Sequence, residues 1–209
     1  ARYRALIDRF EPFVVSEHLA WSQRGGVYHP DLLPVPRSRE MLTLVCRHID
    51  EVQNALGRRL LIENPTAYLP MAGHDWDEVD FLTEIARRTG CGLLIDVNNV
   101  HVSAANMGFS AEDWIDRAPG ELVGEIHLAG HRLDPTWGEA LLIDSHDAPV
   151  AEAVWRLHER LIARIGSRPT LIERDGQIPD FSELLSEQAR AAQTLAQAQS
   201  QASSTKTPA

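Results

Sequence analysis

Residues 92–99, Gly92-Leu93-Leu94-Ile95-Asp96-Val97-Asn98-Asn99, decide the fold. Three consecutive aliphatic residues run straight into a carboxylate, with no polar position alternating among them. Such a run reads as a strand buried on both faces, the condition of a parallel sheet covered by helices. The same pattern recurs in PFVVSEH (residues 12–18), RLLIEN (59–64), GEIHLAGH (124–131) and PTLIERD (169–175). Each ends in a residue able to bind a cation or carry a proton. Between these strands lie helical stretches. Met41, Leu44, Val45, Ile49, Val52 and Leu56 recur at three-and-four spacing before Gly57. A second helix is predicted from about Asp77 through Leu82, Ile85 and Ala86 to Gly90, and a third from Val154 through Leu157, Leu161, Ile162 and Ile165 to Gly166. Ser110 with Asp113 forms a capping pair for a shorter helix through Trp114 and Ile115, closed at Pro119-Gly120. The opening residues place Tyr3, Leu6, Ile7 and Phe10 on one helical face.

Repeated strand–helix units restrict the fold to an open doubly wound sheet or a TIM-type (β/α)8 barrel. A ligand-type side chain at the end of every strand favours the barrel, because a ring of parallel strands aims all its C-terminal ends at one mouth. Five units are present, so about three of the eight strands are expected before residue 1, and the strands carrying His18 and Glu173 are expected to have open edges. Residues 1–187 are read as the partial barrel. Residues 188–209, rich in Ala, Gln and Ser, are read as a fraying helical or disordered tail with no catalytic part.

The 209 residues carry a formal charge of -10, which disfavours a surface built to neutralise nucleic-acid phosphates. With only two cysteines, Cys46 and Cys91, and no CxxC spacing, neither a disulfide framework nor a thiolate metal site is indicated. Both are read as small core residues in a reducing cytoplasm. No apolar run is long enough to span a bilayer, and no secretory leader is read in the first residues. His29, His48, His74 and His158 are read as surface residues. His101, near the Asp96 strand, stays ambiguous.

His18, Glu63, Asp96, His127 and Glu173 end the five strands. One strand-end carboxylate commonly caps a helix or pairs with an arginine, and one histidine is commonly a hydrogen-bonded core residue. Five together are another matter, because carboxylates converging on a buried mouth repel one another and resist desolvation. A cation removes that conflict. Imidazole and carboxylate donors suit iron, manganese or zinc, and five of them exceed one tetrahedral site, which points to two or more metals. Asn98, Asn99, His131, Asp144 and His146 form a neighbouring group, with Asp144 and His146 on one side of an extended segment. The connection from His131 to Pro149 is long for a barrel, and its Trp137 either lines a cleft or packs the loop.

SEHLAW, LLIENPTAY, GLLIDVNNVHVSAANMGF, EIHLAGH, IDSHDAPV and LIERDGQIP together resemble the multinuclear non-haem iron-dependent oxidative enzymes typified by methanobactin biosynthesis, over residues 10–185. The resemblance implies a xylose-isomerase-like barrel, two or three irons (zinc or manganese being the alternatives) and dioxygen-dependent modification of cysteines in a ribosomally made precursor peptide, often with a peptide-delivery partner protein. By motif it carries a metal-binding role onto His18, Glu63, Asp96, Asn99, His127, His131, Asp144, His146 and Glu173, without separating His127 from His131. Asn64, Asn98, Trp137 and Arg174 are then expected to meet substrate or support the ligands. Two departures stand out. A histidine ligand in an HGV-type motif is expected before residue 1, and Met107 stands where the resemblance suggests histidine. A metal-dependent hydrolase or isomerase of the same barrel class, whether endonuclease or sugar isomerase, and an inactive peptide-binding remnant are the competing readings.

Overall fold

The computed structural model describes residues 2–204, and the last five residues of the tail lie outside that range. Five strands form one sheet in the order β1 (Ser16–His18), β4 (Leu61–Glu63), β5 (Gly92–Asp96), β6 (Val123–Ala129), β9 (Thr170–Glu173). They are the five segments read from the sequence. The β1–β4, β4–β5 and β6–β9 pairs are parallel, and the strands carrying His18 and Glu173 stand at the two ends of the order.

The chain divides into two compact units: Ala1–Pro65, Met71–Leu94 and Leu122–Gly124 make the first, and Thr66–Pro70, Ile95–Glu121 and Glu125–Ala209 the second. In the first unit, α1 (Arg2–Phe10) buries only Ile7, and Tyr3, Leu6 and Phe10 of the expected apolar face remain exposed. Helix α2 (Arg39–Leu56) starts where the Ser38 hydroxyl accepts from Met41 N and buries Leu42, Cys46, Ile49 and Leu56. Helix α3 (Glu78–Thr89), capped by Asp77, buries Val79, Phe81, Leu82, Ile85 and Ala86. Cys46 and Cys91 are buried thiols, as the sequence suggests. A hairpin of β2 (Ala20–Arg24) and β3 (Val27–Pro34) turns at Gly25-Gly26, both at positive φ. A two-residue hairpin turn of the kind that matches strand twist needs that backbone, and only glycine adopts it without strain.

The second unit contains α4 (Val97–Met107), α5 (Ala111–Arg117), α6 (Glu152–Ile165) and α7 (Phe181–Ser204). Helix α4 follows β5 without a loop, and its β-branched residues give no helical signal of their own; the Asp96 carboxylate starts it by accepting from Asn99 N at 2.7 Å. The connection after His131 is not simply a loop. It contains a second hairpin, β7 (Arg132–Asp134) with β8 (Gly138–Ile143), which leaves Trp137 exposed near its turn. The Asn106 amide holds β8 to α4 by donating to Leu142 O and accepting from Leu142 N.

One reading is corrected outright. His158 is fully buried on the inner face of α6, edge-on to Trp155, and neither ring nitrogen has a hydrogen-bond partner among the described residues. Its position, Leu157-His158 in an i, i+3, i+4 stripe with Val154 and Leu161, is a core position that the residue type disguises. Burial, helped by the nearby Arg190 charge, pushes the imidazole down to about 4. The folded state therefore binds less proton than the unfolded chain between about 6.5 and about 4, and stability falls as pH drops through that window. The contribution at stake is up to about 3 kcal/mol. Melting curves across this range should show the loss, and His158→Leu should flatten it; an equally steep acid limb in the variant would refute the assignment.

Candidate metal centre

In the first unit, β1 and β4 end in register, with His18 opposite Glu63. The His18 Nε2 lies 3.4 Å from Glu63 Oε2; the glutamate is buried and the imidazole half exposed. The Glu63 carbonyl also accepts from Leu19 N, which fixes the end of the strand. Asn64, the next residue, is buried.

In the second unit, β5, β6 and β9 deliver Asp96, His127 and Glu173 at or near their ends, and the segment after β8 delivers Asp144 and His146. Asp96, His146 and Glu173 each present one donor atom, and the three atoms lie within 4.8 Å of one another. Donors bound at about 2.0–2.2 Å to one ion would be separated by roughly 3–4.4 Å, so this trio fits a shared cation after small side-chain adjustments. His127 Nδ1 lies 3.2 Å from Glu173 Oε2, and His146 Nδ1 lies 3.6 Å from the same oxygen. The Glu173 carboxylate is thus the point where the two imidazoles meet.

A layer of polar groups orients this trio. His146 Nε2 is 2.8 Å from Asp144 Oδ1. The Asp144 carboxylate also accepts from Asn98 Nδ2 at 2.7 Å and Thr66 Oγ1 at 2.8 Å, and its own backbone N–H donates to the Tyr68 hydroxyl. Thr66 Oγ1 sits 2.6 Å from Asn99 Oδ1 as well. His131 does not share the position of His127: its Nδ1 is 2.8 Å from Asn98 Oδ1, and its ring tilts against His101 with centroids 4.8 Å apart. Arg174 is almost wholly buried and pairs with Glu187 and Glu183 of α7. Trp137 is exposed.

Thr66, Tyr68 and Asp175 join the site without having been singled out by the sequence. Thr66 and Tyr68 belong to the NPTAY segment directly after Glu63, and Asp175 Oδ2 lies 3.5 Å from His146 Nδ1, two residues past Glu173. Proximity in sequence to a strand-end carboxylate is the one signal that points to them.

Electrostatics follow from this packing. Burial opposes charging of His146, yet the Asp144 hydrogen bond and charge, with Asp96 and Glu173 nearby, outweigh it and hold the imidazole up at about 9. His127 is also raised: burial works against it, and the Glu173 hydrogen bond with the Asp96, Glu173 and Glu125 charges prevails. Asp144 is lowered against its own burial, chiefly by His146 and then by Thr66 and Asn98. His131 and His101 are lowered, primarily by burial. A metal ion on His146 would therefore displace a proton; the surroundings favour the charged form of His127 and the neutral form of His131.

Two measurements check this. Because a bound cation needs unprotonated His146, the apparent affinity of the chain for cobalt(II) should rise by about tenfold per pH unit and level off near pH 9. A flat profile from pH 6 to 9 would contradict the geometry. Asp96→Asn keeps an oxygen to cap α4 while removing a fully buried charge, so the metal-free variant should melt no lower than the parent and should lose the metal-induced rise in melting temperature.

Comparison with known proteins places this chain in a family. Among curated relatives, a UPF0276 protein of Caulobacter vibrioides is 61% identical over 196 residues, covering 94% of this chain and 70% of the relative. One from Caulobacter sp. strain K31 is 60% identical, covering 91% and 69%. One from Rhizobium meliloti is 52% identical, covering 93% and 63%. Solved structures of similar fold include the IolI protein with a bound zinc atom (TM-score 0.60, 13% identity, 94% of this chain and 67% of that one). A xylose isomerase domain protein of Salmonella typhimurium (TM-score 0.55, 16% identity) covers 93% of this chain and 79% of its own. These likenesses bear out the xylose-isomerase-like TIM-barrel fold, to which five strands of this chain contribute. Over residues 1–196 the chain matches the model of the RiPP precursor modification enzymes MbnB/TglH/ChrH, and it belongs to that family.

Proposed function

We propose that this protein is a multinuclear iron-dependent oxidative enzyme that uses dioxygen to modify cysteine residues of a ribosomally synthesised precursor peptide. The observation that carries the reading is the convergence of Asp96, His146 and Glu173 donors within 4.8 Å, in a chain whose family acts on such precursors. Asp96, His127, His146 and Glu173 are the metal ligands of the second unit, and His18 with Glu63 supplies the ligands of the first, for two or three ions in all. Asp144 and Asn98 are orienting groups: a carboxylate on the far nitrogen of a ligand histidine fixes its ring and raises its basicity. His131 and Asn99 support Asn98, Thr66 and Asp96 and are not first choices as ligands, since their own polar atoms already serve those partners.

Iron bound here would supply redox chemistry, activating dioxygen beside a coordinated substrate thiolate. The chain's part is to hold the ligands in one arrangement and to keep the carboxylates charged in a buried place. A peptide-delivery partner and a cytoplasmic setting fit this activity, and among the described residues no helix is long and apolar enough to cross a membrane. Zinc or manganese in the same donors would instead suit a hydrolase or isomerase, a reading that the zinc-bound structural relative keeps in play.

The test is mass spectrometry of a cysteine-containing precursor peptide, ideally one encoded beside the gene, after anaerobic incubation with iron(II)-loaded protein and then exposure to oxygen. A change in peptide mass that requires both iron and oxygen, and that His146→Ala reduces by at least about 100-fold, is the expected result. Oxygen-independent turnover of a sugar or nucleic acid by the zinc form would favour the hydrolase or isomerase reading.

A further inference from the structure

The segment Ser145–Val150, between β8 and α6, crosses the ends of two strands. His146, at its start, has φ of +49°, a left-handed backbone that a histidine adopts only when its surroundings impose it. Its N–H donates to Gly130 O at the end of β6, and its carbonyl accepts from Asp175 N and Gly176 N just beyond β9. Gly130 lies beneath this segment so closely that a Cβ there would stand 2.0 Å from Ala148 O and 2.7 Å from Pro149 O. No side chain fits without moving the segment's backbone. At its far end the Val150 N–H donates to Glu187 Oε1 at 2.7 Å, and Glu187 belongs to α7.

The other oxygen of Glu187 has a different partner. Glu187 Oε2 lies 3.1 Å from Arg174 Nη2, and the Arg174 side chain is only 4% exposed. Arg174 directly follows Glu173. One carboxylate, just before the Ala- and Gln-rich tail that begins at residue 188, therefore ties the segment that carries His146 to the strand that carries Glu173.

We propose that Glu187 is a positioning residue for the metal centre, fixing the separation of His146 and Glu173 through Val150 and Arg174. The inference rests on reading Asp96, His146 and Glu173 as ligands. Its chemistry is mechanical: a charge-assisted hydrogen bond on each oxygen lets one group set two backbone segments at once. Ligand positions held by such outer contacts are worth about 10–100-fold in metal affinity when the contacts are lost.

The test is cobalt(II) titration of the chain, followed by visible absorption, with parent, Glu187→Ala, Glu187→Gln, Gly130→Ala and His146→Ala compared at one pH and a temperature below all melting transitions. Glu187→Ala should weaken binding by about tenfold or more and alter the cobalt absorption band. Glu187→Gln, which keeps an acceptor for Val150 N, should recover most of the affinity. Gly130→Ala, which displaces the same segment from below, should reproduce the loss and decides the matter if Glu187→Ala does not fold. Parent-like affinity and absorption in folded Glu187→Ala, or in Gly130→Ala, would overturn the proposal even if its melting temperature fell. If the parent binds no cobalt, or His146→Ala binds it equally well, the metal-centre reading fails and this inference with it; if those two behave as expected, the outcome bears on Glu187 alone.

Discussion

The structure turns on the buried charge of Asp96. A carboxylate with no solvent exposure is tolerated only if something positive or strongly donating faces it. One of its oxygens caps α4, and the charges of Asp144 and Glu173 crowd the same place, so the hydrogen bond alone does not settle the electrostatics. The facing positive charge comes from His146, whose imidazole is held up at about 9 by Asp144, Asp96 and Glu173. A cation held by Asp96, His146 and Glu173, as proposed, would compete with that proton for one place.

The fold was legible where burial dictates sequence. Parallel strands covered on both faces are aliphatic along their length, as β4 and β5 are, whereas β1, Ser16–His18, is marked only by the Phe13-Val14-Val15 run that leads into it. Helices α2, α3, α5 and α6 announce themselves by apolar spacing and by Asp77, Ser110 or terminal glycines. What escaped were elements held by contacts instead of by pattern. Helix α4 begins on the ligand residue itself, so the sequence VNNVHVSAANM carries its start signal inside the preceding strand. The hairpin β7–β8 has short strands with largely exposed faces, and hence no alternation for the eye to find. Its counterpart β2–β3 offered Gly25-Gly26, a turn signal not taken up.

Candidate site residues were readable to a similar depth. A residue on a strand is placed by the strand, at its end for Asp96 and Glu173 and two residues before its end for His127. Asp144 and His146 were found through their spacing, but the left-handed backbone of His146 and its grip by Gly130, Asp175 and Gly176 depend on three segments distant in sequence. Thr66 and Tyr68 reach Asp144 from more than seventy residues away, a distance over which neither periodicity nor propensity carries information.

His127 and His131, four residues apart, have different neighbours. Side chains alternate along a strand, so His127 and Ala129 would share one face of β6 and His131 would follow if the strand continued. It does not: β6 ends at Ala129, and Gly130 takes the chain beneath the Ser145–Val150 segment. His131 leaves the strand direction there and meets Asn98 and His101 of α4, whereas His127, still within the strand, meets Glu173 across its parallel neighbour β9. The glycine that admits the His146 segment is also the residue at which the chain turns His131 away from its sister histidine. The lack of a side chain at Gly130 thus accompanies the division of two identical imidazoles between a place beside Glu173 and a place in the hydrogen-bonded layer around it.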